Sequence, residues 1–355
     1  MAIRSRKLKG GKTAYDVTVK HDGKREYVTV HSLAEARAVE IELKARYGQS
    51  SAARSPITLQ EYIYQVYWPI ASQRLSATSK DTYEKEIRLR ILPALGKMKL
   101  REIDRLAIQS RMLDVCATAT VAKKALGVLK TILNEAVHDG YLQATYACGK
   151  FAMPSEGQRR DNGIVLQTFE EIHALLDCVD YSGSECVRRI AYTGLLQGLR
   201  PEERYALDWD CFDLAGDSLT VKAARVAATP QHGGVQDKAP KTDRGARTIP
   251  LHPRLRALVE SAPRDGAFIA GKDGGKISPS TAQKRWRAFL RDNPDCAPVT
   301  IENMRHSFAT AYLAAGGRIE VLSRMLGHAT IGTTISRYYR PDLSVLSDDA
   351  MGVWA

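Results

Sequence analysis

Four short segments in the second half of the chain carry side chains that can hold an anion, transfer a proton or act as a nucleophile. They are residues 193–203 (TGLLQGLRPEE), 240–251 (PKTDRGARTIPL), 302–310 (ENMRHSFAT) and 326–340 (LGHATIGTTISRYYR). Guanidinium groups pair with phosphate or carboxylate oxygens, ammonium and imidazole groups transfer protons, and a phenol attacks when cations and a base assist it. Read singly, each segment also has an ordinary explanation, such as a surface arginine, a solvated lysine or a packing tyrosine.

The elements expected to position these side chains are helices with a small sheet among them. Thr168 is predicted to begin a helix whose acidic residues lie at its N-terminal end, as the helix dipole favours. Hydrophobic periodicity predicts further helices at residues 184–198, 253–262, 281–292, 305–316 and 319–327. Strand-like pieces at 218–226 and 246–251 enclose a polar loop that contains Gly233, Gly234 and residues 238–244.

Two smaller regions precede this one. Residues 13–30 alternate apolar and polar side chains around Asp22-Gly23, which predicts a hairpin, and Ser32 is expected to cap a helix that runs to about Tyr47. Between Thr58 and Tyr141 the pattern predicts four or five helices without strands, starting after Thr58, Ser76 to Ser79, Asp104 and Thr120. Residues 48–56 and 149–160 have the composition of linkers.

Positive charge is concentrated in the first part of the chain. The 355 residues carry 52 Lys+Arg and 40 Asp+Glu, a net charge of +12. Residues 1–50 hold 11 basic and 6 acidic residues, residues 51–160 hold 17 and 10, and residues 161–355 hold 24 and 24. This distribution favours a polyanion-binding front region; the alternative is that the charge merely aids solubility. The absence of a long apolar stretch or an apolar segment after the basic start argues against a transmembrane or secreted protein.

The cysteines and histidines show no metal-binding pattern. The six cysteines form no CxxC pair and have no histidine at zinc-finger spacing; they are Cys116, Cys148, Cys178, Cys186, Cys211 and Cys296. We therefore expect reduced, mostly buried thiols, no metal and no cofactor.

Taken together and in this order, the four segments resemble the catalytic domain of the tyrosine recombinase (phage integrase) family. By the same resemblance, residues 163–355 form the catalytic domain, residues 56–148 form a helical core-binding domain, and residues 1–50 form an arm-type DNA-binding module as in lambda-like and conjugative-transposon integrases. The implied fold is multidomain and mainly α with small β-sheets: an α+β arm module, an all-α core-binding domain and a mostly helical catalytic domain with a small sheet.

The resemblance implies a role for each site residue. Arg200 and Arg305 would hold the non-bridging oxygens of the scissile phosphate, which suits a planar group that stays charged. Lys241 would be the general acid for the leaving 5′-oxygen, and His328 would donate a hydrogen bond to the phosphate. Tyr338 would attack the phosphorus to form a covalent 3′-phosphotyrosyl link.

Several positions leave alternatives open. Glu302 stands where the family usually has a histidine, so we expect it to point away from the phosphate or to be partly protonated. His306 is interpreted as a structural histidine. Tyr339 is the alternative nucleophile to Tyr338. Glu203 occupies the position of a family acid that braces the site, although a surface glutamate is the simpler explanation.

The function implied is site-specific DNA recombination through a Holliday junction, integrating or excising a phage or mobile element in the host cytoplasm. The implied partners are double-stranded DNA with core and arm attachment sites, a tetramer of the chain, and a DNA-bending protein or excisionase. Residues 341–355 would join a neighbouring protomer or fold back on their own domain. The alternatives are a non-catalytic DNA-binding regulator on the same scaffold and a type IB topoisomerase; a metal-dependent nuclease would need a carboxylate cluster, and we find none in the sequence.

Overall fold

The computed structural model describes residues 2–7, 13–21, 24–33, 35–37, 39, 57–155, 163–239 and 245–338. The chain divides into two compact units, residues 1–158 and 159–355. None of the helices in these described ranges combines the length and apolarity needed to cross a bilayer.

The first unit begins with a three-stranded antiparallel sheet. Its strands are β1 (Ala2–Lys7), β2 (Thr13–His21) and β3 (Lys24–Val30), in the order β1-β2-β3. The two predicted strands within residues 13–30 are confirmed, whereas β1 was not predicted. The Asp22-Gly23 turn lies outside the described residues.

A short helical segment follows the sheet. The Ser32 hydroxyl accepts a hydrogen bond from the backbone N–H of Glu35 at 3.1 Å, which confirms Ser32 as a cap. Ala36 and Val17 are fully buried together, so this segment packs on the sheet. The remainder of the predicted helix, up to Tyr47, lies outside the described residues.

Residues 57–155 contain four α-helices, within the four or five predicted: α1 (59–74), α2 (77–95), α3 (105–113) and α4 (Ala119–His138). The side chains of Thr58, Ser76 and Asp104 cap the first three, in agreement with the sequence. The fourth helix begins earlier than predicted, because the residue whose side chain caps it is Thr118 and not Thr120.

Each of the first three helices contains a π-helical turn, at Ile63–Tyr67, Ile87–Ile91 and Ile108–Leu113. A π-turn inserts one residue into the α-helical spacing and so re-aims the side chains that follow it. The first and last residues of all three turns are buried. The apolar interior that they enter also includes Leu59, Leu95, Leu129 and Ile132, each fully buried.

The second unit is mostly helical. Its helices are α5 (Phe169–Ser182), α6 (Glu185–Leu195), α7 (Pro201–Ala206), α8 (Pro253–Ser261), α9 (Pro279–Asp292), α10 (Ile301–Ala314), α11 (Ile319–Leu326) and α12 (Ile331–Tyr338). Helix α5 begins after Thr168, as predicted, and Thr168 forms a capping box with Glu171. Helix α6 is buried along nearly its whole length and contacts α5, α9 and α10. It is therefore the central helix of the unit.

The described residues between α7 and α8 include five short strands. They are β4 (Phe212–Asp213), β5 (Ser218–Val221), β6 (Ala224–Ala227), β7 (Val235–Lys238) and β8 (Arg247–Pro250). Strands β4, β5 and β8 form an antiparallel sheet, and β6 and β7 form a hairpin. The predicted strand at 218–226 is thus two strands in different sheets, and part of the predicted polar loop is strand β7.

The expectation of six free thiols is wrong for one pair. Cys178 on α5 and Cys296, in the loop before α10, are joined by a disulfide. The two residues are 118 positions apart in the chain, so no local spacing in the sequence indicates that they pair. The other four cysteines are free.

Candidate active site

A sharp turn between α6 and α7 positions Arg200. Gly198 has a φ of +61°, and a Cβ there would lie 2.3 Å from the Phe308 ring, so the turn requires glycine. Arg200 is the cap residue of α7, with Pro201 in the first helical position. Glu203 accepts a hydrogen bond from the Arg200 backbone N–H at 2.8 Å and another from the Arg200 guanidinium at 2.8 Å.

Arg305 reaches the same place from α10. Thr300 caps this helix, and Arg305 lies in its second turn, only 5% exposed. Its guanidinium donates to the carbonyl of Gly198 at 2.9 Å and to the carbonyl of Leu326 at 2.8 Å. Burial and the charge of Arg200 lower the pKa of Arg305. An arginine nevertheless stays charged at any working pH.

The C-terminal end of α11 holds both arginines. Arg200 Nη1 lies 3.3 Å from the same Leu326 carbonyl oxygen that Arg305 binds, and Arg200 Nη2 lies 3.5 Å from the Gly327 carbonyl oxygen. Gly327, with a φ of +64°, ends the helix in the left-handed conformation. The last carbonyls of a helix carry partial negative charge and have no helical partner, so they suit guanidinium groups.

A third arginine, Arg247 on β8, also contacts this group. Its two terminal nitrogens donate to the two carboxylate oxygens of Glu203 at 3.0 and 2.9 Å, and its Nε donates to the Met325 carbonyl at 2.6 Å. Burial alone would raise the pKa of Glu203, but the hydrogen bonds and charges of Arg247 and Arg200 lower it to about 2. Glu203 is therefore a buried carboxylate between arginines and not the surface glutamate of the simpler interpretation.

His328 follows the helix end directly. Its Nε2 lies 3.0 Å from Arg305 Nη2, and its Nδ1 lies 2.7 Å from the hydroxyl of Thr334. A guanidinium can only donate, so Nε2 is the acceptor in this contact. Burial, followed by the charges of Arg305 and Arg200, lowers the pKa of His328 to about 4, so the ring is neutral at physiological pH. Donation from Nε2 to a phosphate would need the other tautomer, with the Thr334 hydroxyl donating to Nδ1.

Tyr338 enters the site from α12. Its hydroxyl lies 2.9 Å from His306 Nδ1, and its ring is parallel to that of His328 with centroids 6.4 Å apart. The structure thus brings Tyr338 close to both histidines. His306, interpreted from the sequence as structural, contacts the predicted nucleophile itself.

Glu302 lies away from this group. Its carboxylate accepts a hydrogen bond from the Gln283 side chain on α9 at 3.0 Å, and the residue is exposed. Of the two outcomes expected from the sequence, the geometry agrees with a side chain that points away from the arginines.

Two predicted site residues, Lys241 and Tyr339, lie outside the described residues. The others, Arg200, Arg305, His328 and Tyr338, converge. Sequence reasoning missed the contacts of Arg247 and Thr334, although both stand within the segments it singled out. In the described part of the chain, no group of three or more His, Cys, Asp or Glu side chains is arranged to hold a metal ion.

Comparisons with known proteins identify the family of the chain. Residues 167–344 match the model of the phage integrase family, and residues 58–111 match that of the phage integrase N-terminal SAM-like domain. The chain therefore belongs to the phage integrase family of tyrosine recombinases.

Its curated relatives include the tyrosine recombinases XerC of Yersinia pestis and of Serratia marcescens. The former is 28% identical over 59% of this chain and 65% of its own length. The latter is 26% identical over 81% of this chain and 86% of its own length. The chain thus spans just under two thirds of the length of the Yersinia protein.

Solved integrases share the fold. The Tn1549 transposon integrase in complex with transposon right end DNA has a TM-score of 0.70 and 16% identity, covering 84% of this chain and all of that one. A lambda integrase dimer bound to a COC′ core site has a TM-score of 0.61 and 16% identity, covering 96% of this chain and 97% of that one.

Proposed function

We propose that the protein is a site-specific DNA recombinase in which Tyr338 attacks a phosphate held by Arg200 and Arg305. One observation carries the proposal: both guanidinium groups bind the Leu326 carbonyl, at 3.3 and 2.8 Å, with His328 beside them. Arg200 and Arg305 come from separate segments, and Glu203 and the helix carbonyls offset their mutual repulsion. Two fixed cations therefore lie side by side, which suits the binding of a phosphate.

The electrostatics support a phosphoryl-transfer reaction. The Arg200 side chain is 39% exposed, so its guanidinium can meet a phosphate. The Arg305 side chain is 7% exposed, and two carbonyl oxygens hold its guanidinium. Glu203 and the helix carbonyls fix the cations in advance, and such preorganised charge stabilises the extra negative charge of the transition state. Both arginines would contact the non-bridging oxygens.

The reaction proposed conserves the energy of the phosphodiester. The Tyr338 oxygen forms a bond to phosphorus while the bond to the 5′-oxygen breaks, and Lys241 protonates that oxygen. The 3′-phosphotyrosyl link then reacts with a 5′-hydroxyl of another strand, so strands rejoin without ATP. The type IB topoisomerase alternative differs only in rejoining the original strand.

The same proposal assigns the other regions. Residues 1–50 would bind arm-type sites, residues 56–148 the core site, and residues 163–355 would carry out strand exchange in a tetramer through a Holliday junction. A solved relative, lambda integrase, forms a tetramer bound to a Holliday junction, and a likeness of fold to that protein supports this assembly. A DNA-bending protein or excisionase would act as an accessory factor.

We propose further that the substrate is a phage or other mobile element. The three-stranded sheet ahead of the helices supports this, because an N-terminal sheet in addition to the helices offers a second surface for another class of DNA site. The alternative is a chromosomal recombinase without arm sites.

Covalent adduct formation tests the chemistry. A duplex enriched by the protein from a random pool is nicked near its centre, so that the cleaved fragment diffuses away and the adduct accumulates. We expect a covalent band with the wild type and with Tyr339→Phe, and none with Tyr338→Phe. Tight binding without any adduct would favour the non-catalytic regulator, and loss only with Tyr339→Phe would make that residue the nucleophile.

The enriched duplexes also separate the two substrates. An integrase with arm sites is expected to enrich two unrelated classes of DNA sequence. One of the two classes should be lost when residues 1–50 are deleted. A single class retained by the deletion variant would favour the chromosomal recombinase.

A further inference from the structure

We propose that His306 is the base that takes the phenol proton of Tyr338 during strand cleavage. The inference rests on the proposed function and adds to it the destination of that proton. The family resemblance assigned no residue to this step here, because the position at which a histidine was expected is Glu302.

The geometry places the two groups in proton-transfer contact. Tyr338 Oη and His306 Nδ1 are 2.9 Å apart, within the range in which a general base acts. The contact joins α12 to α10, and the two ring centroids are 5.5 Å apart. The nucleophile and its base are therefore in place before DNA binds.

The two other candidate bases hydrogen bond to other residues. Glu302 stands one helical turn before His306 on α10 but hydrogen bonds to Gln283 on α9 at 3.0 Å. His328 has both ring nitrogens engaged, Nε2 with Arg305 at 3.0 Å and Nδ1 with Thr334 at 2.7 Å.

The surroundings keep His306 in the form that can accept a proton. The charged groups that act on it are Arg305 on α10 and Arg337 on α12, and Tyr338 on α12 is its titratable neighbour. Burial, and then the charges of Arg337 and Arg305, lower the pKa of the imidazole, so it is neutral at physiological pH. A neutral ring leaves one nitrogen with a lone pair for the phenol.

The step balances in both directions. During cleavage the O–H bond of Tyr338 breaks, its proton moves to His306 Nδ1, the Tyr338 oxygen bonds to phosphorus, and the 5′-oxygen leaves with a proton from Lys241. During rejoining the 5′-hydroxyl attacks phosphorus and gives its proton to Lys241. Tyr338 then leaves and recovers its proton from the His306 imidazolium.

The test measures the single-turnover rate of adduct formation by the full chain on the nicked duplex. His306→Gln keeps a hydrogen-bonding side chain but cannot take a proton, so we expect a loss on the order of 10²-fold with DNA affinity unchanged. His252→Asn is the matched control, because His252 is another part-buried histidine whose role is to cap α8, which asparagine also does. Its rate should stay within about twofold of the wild type.

A second measurement distinguishes a base from a structural contact. Replacing Tyr338 with a fluorinated tyrosine lowers the pKa of the phenol, so the attacking group needs less help. We expect the loss caused by His306→Gln to shrink at least about tenfold in this background. The wild-type rate should also fall at acid pH as His306 protonates, and that limb should vanish in His306→Gln.

The other outcomes would contradict either the assignment of His306 as the base or the proposed function. A loss below about threefold, or an equal loss with natural and fluorinated tyrosine, would show that His306 is not the base while leaving the recombinase intact. Absence of any adduct with the wild type would instead overturn the proposed function itself, and the inference with it.

Discussion

The four-helix region and the second unit bury very different side chains. Among residues 57–155, Glu86 is the one charged residue in the interior, and it pairs with Arg90 on the next turn at 2.8 Å. Among the described residues of the second unit, the buried charged or polar side chains are Arg189, Thr193, Gln197, Glu203, Arg204, Arg305, Ser307, Ser323, His328 and Thr334.

The difference separates two uses of positive charge. In the helical region the basic side chains lie at the surface, for example at Lys97, Lys123 and Lys124. There they can meet a polyanion without a fixed geometry. In the second unit the arginines are held by carbonyls and a carboxylate, so their positions are fixed at a cost in desolvation. The net charge of a region therefore indicates a surface that can bind a polyanion. It gives no information about buried arginines whose positions are fixed.

Removing the buried Glu203 carboxylate should cause the largest change, a loss of stability in the second unit. Glu203→Gln leaves Arg247, which is 7% exposed, without its counter-charge, so we expect the second unit to lose about 3–5 kcal/mol of unfolding free energy. Glu86→Gln is the matched control, because its partner Arg90 is 22% exposed and can meet water, and about 1 kcal/mol is expected. Calorimetry of the full chain measures both, and equal losses would contradict the distinction.

Arg200→Lys should separate chemistry from stability. Lysine keeps the charge but not the planar fork, so we expect adduct formation to slow by about 10²–10³-fold. The Arg200 side chain is 39% exposed, so the free energy of unfolding should change by less than about 1 kcal/mol. Arg188→Lys serves as the control, because Arg188 on α6 forms a surface ion pair with Asp180. This substitution should leave the rate of adduct formation unchanged. A matching loss of stability would mean that Arg200 is structural.

Acid should weaken the second unit through Glu203. Because the pKa of Glu203 is about 2 in the folded chain and near 4.5 when unfolded, the unfolded state binds the proton more readily. Stability from this group is complete above pH 4.5 and is lost as the pH falls toward 2, amounting to about 3 kcal/mol. The free energy of unfolding measured across this pH range should fall less steeply with decreasing pH in Glu203→Gln than in the wild type. An unchanged slope would place the acid sensitivity elsewhere.

The smallest effect is expected at the surface of the helical region. Lys124→Gln should weaken binding of the enriched duplex only a few-fold and reduce the salt slope of log K by about 0.9 if one phosphate contact is lost. Lys272→Gln, an exposed lysine of the second unit, is the matched control and should leave the slope unchanged. Equal slopes in the two variants would remove the link between surface charge and DNA binding.

Local signals in the sequence predicted most helices well. Thr58, Asp104 and Thr168 could be identified as caps because a cap depends on residues within one turn of it. The strands were harder: residues 218–226 have one continuous strand pattern, yet their pairing with β8 and β7 divides them between two sheets.

The site was predicted in its residue types but not in its connections. The Glu203–Arg247 pair spans 44 positions, and Tyr338 meets His306 across 32, so neither contact follows from spacing. The resemblance supplied the positions of Arg200 and Arg305. It could not supply the acceptor they share, because that acceptor is a main-chain oxygen.

That shared acceptor has a consequence for how the site tolerates genetic change. Every amino acid carries the same carbonyl, so no substitution of Leu326 can delete the oxygen that Arg200 and Arg305 bind. The Leu326 side chain, fully buried beside Phe308, is constrained by volume alone. Gly327 is different, because only a residue at ease with positive φ turns that oxygen toward the arginines. Variation among descendants of this chain should therefore be limited to apolar residues of similar volume at 326 and be nearly absent at 327.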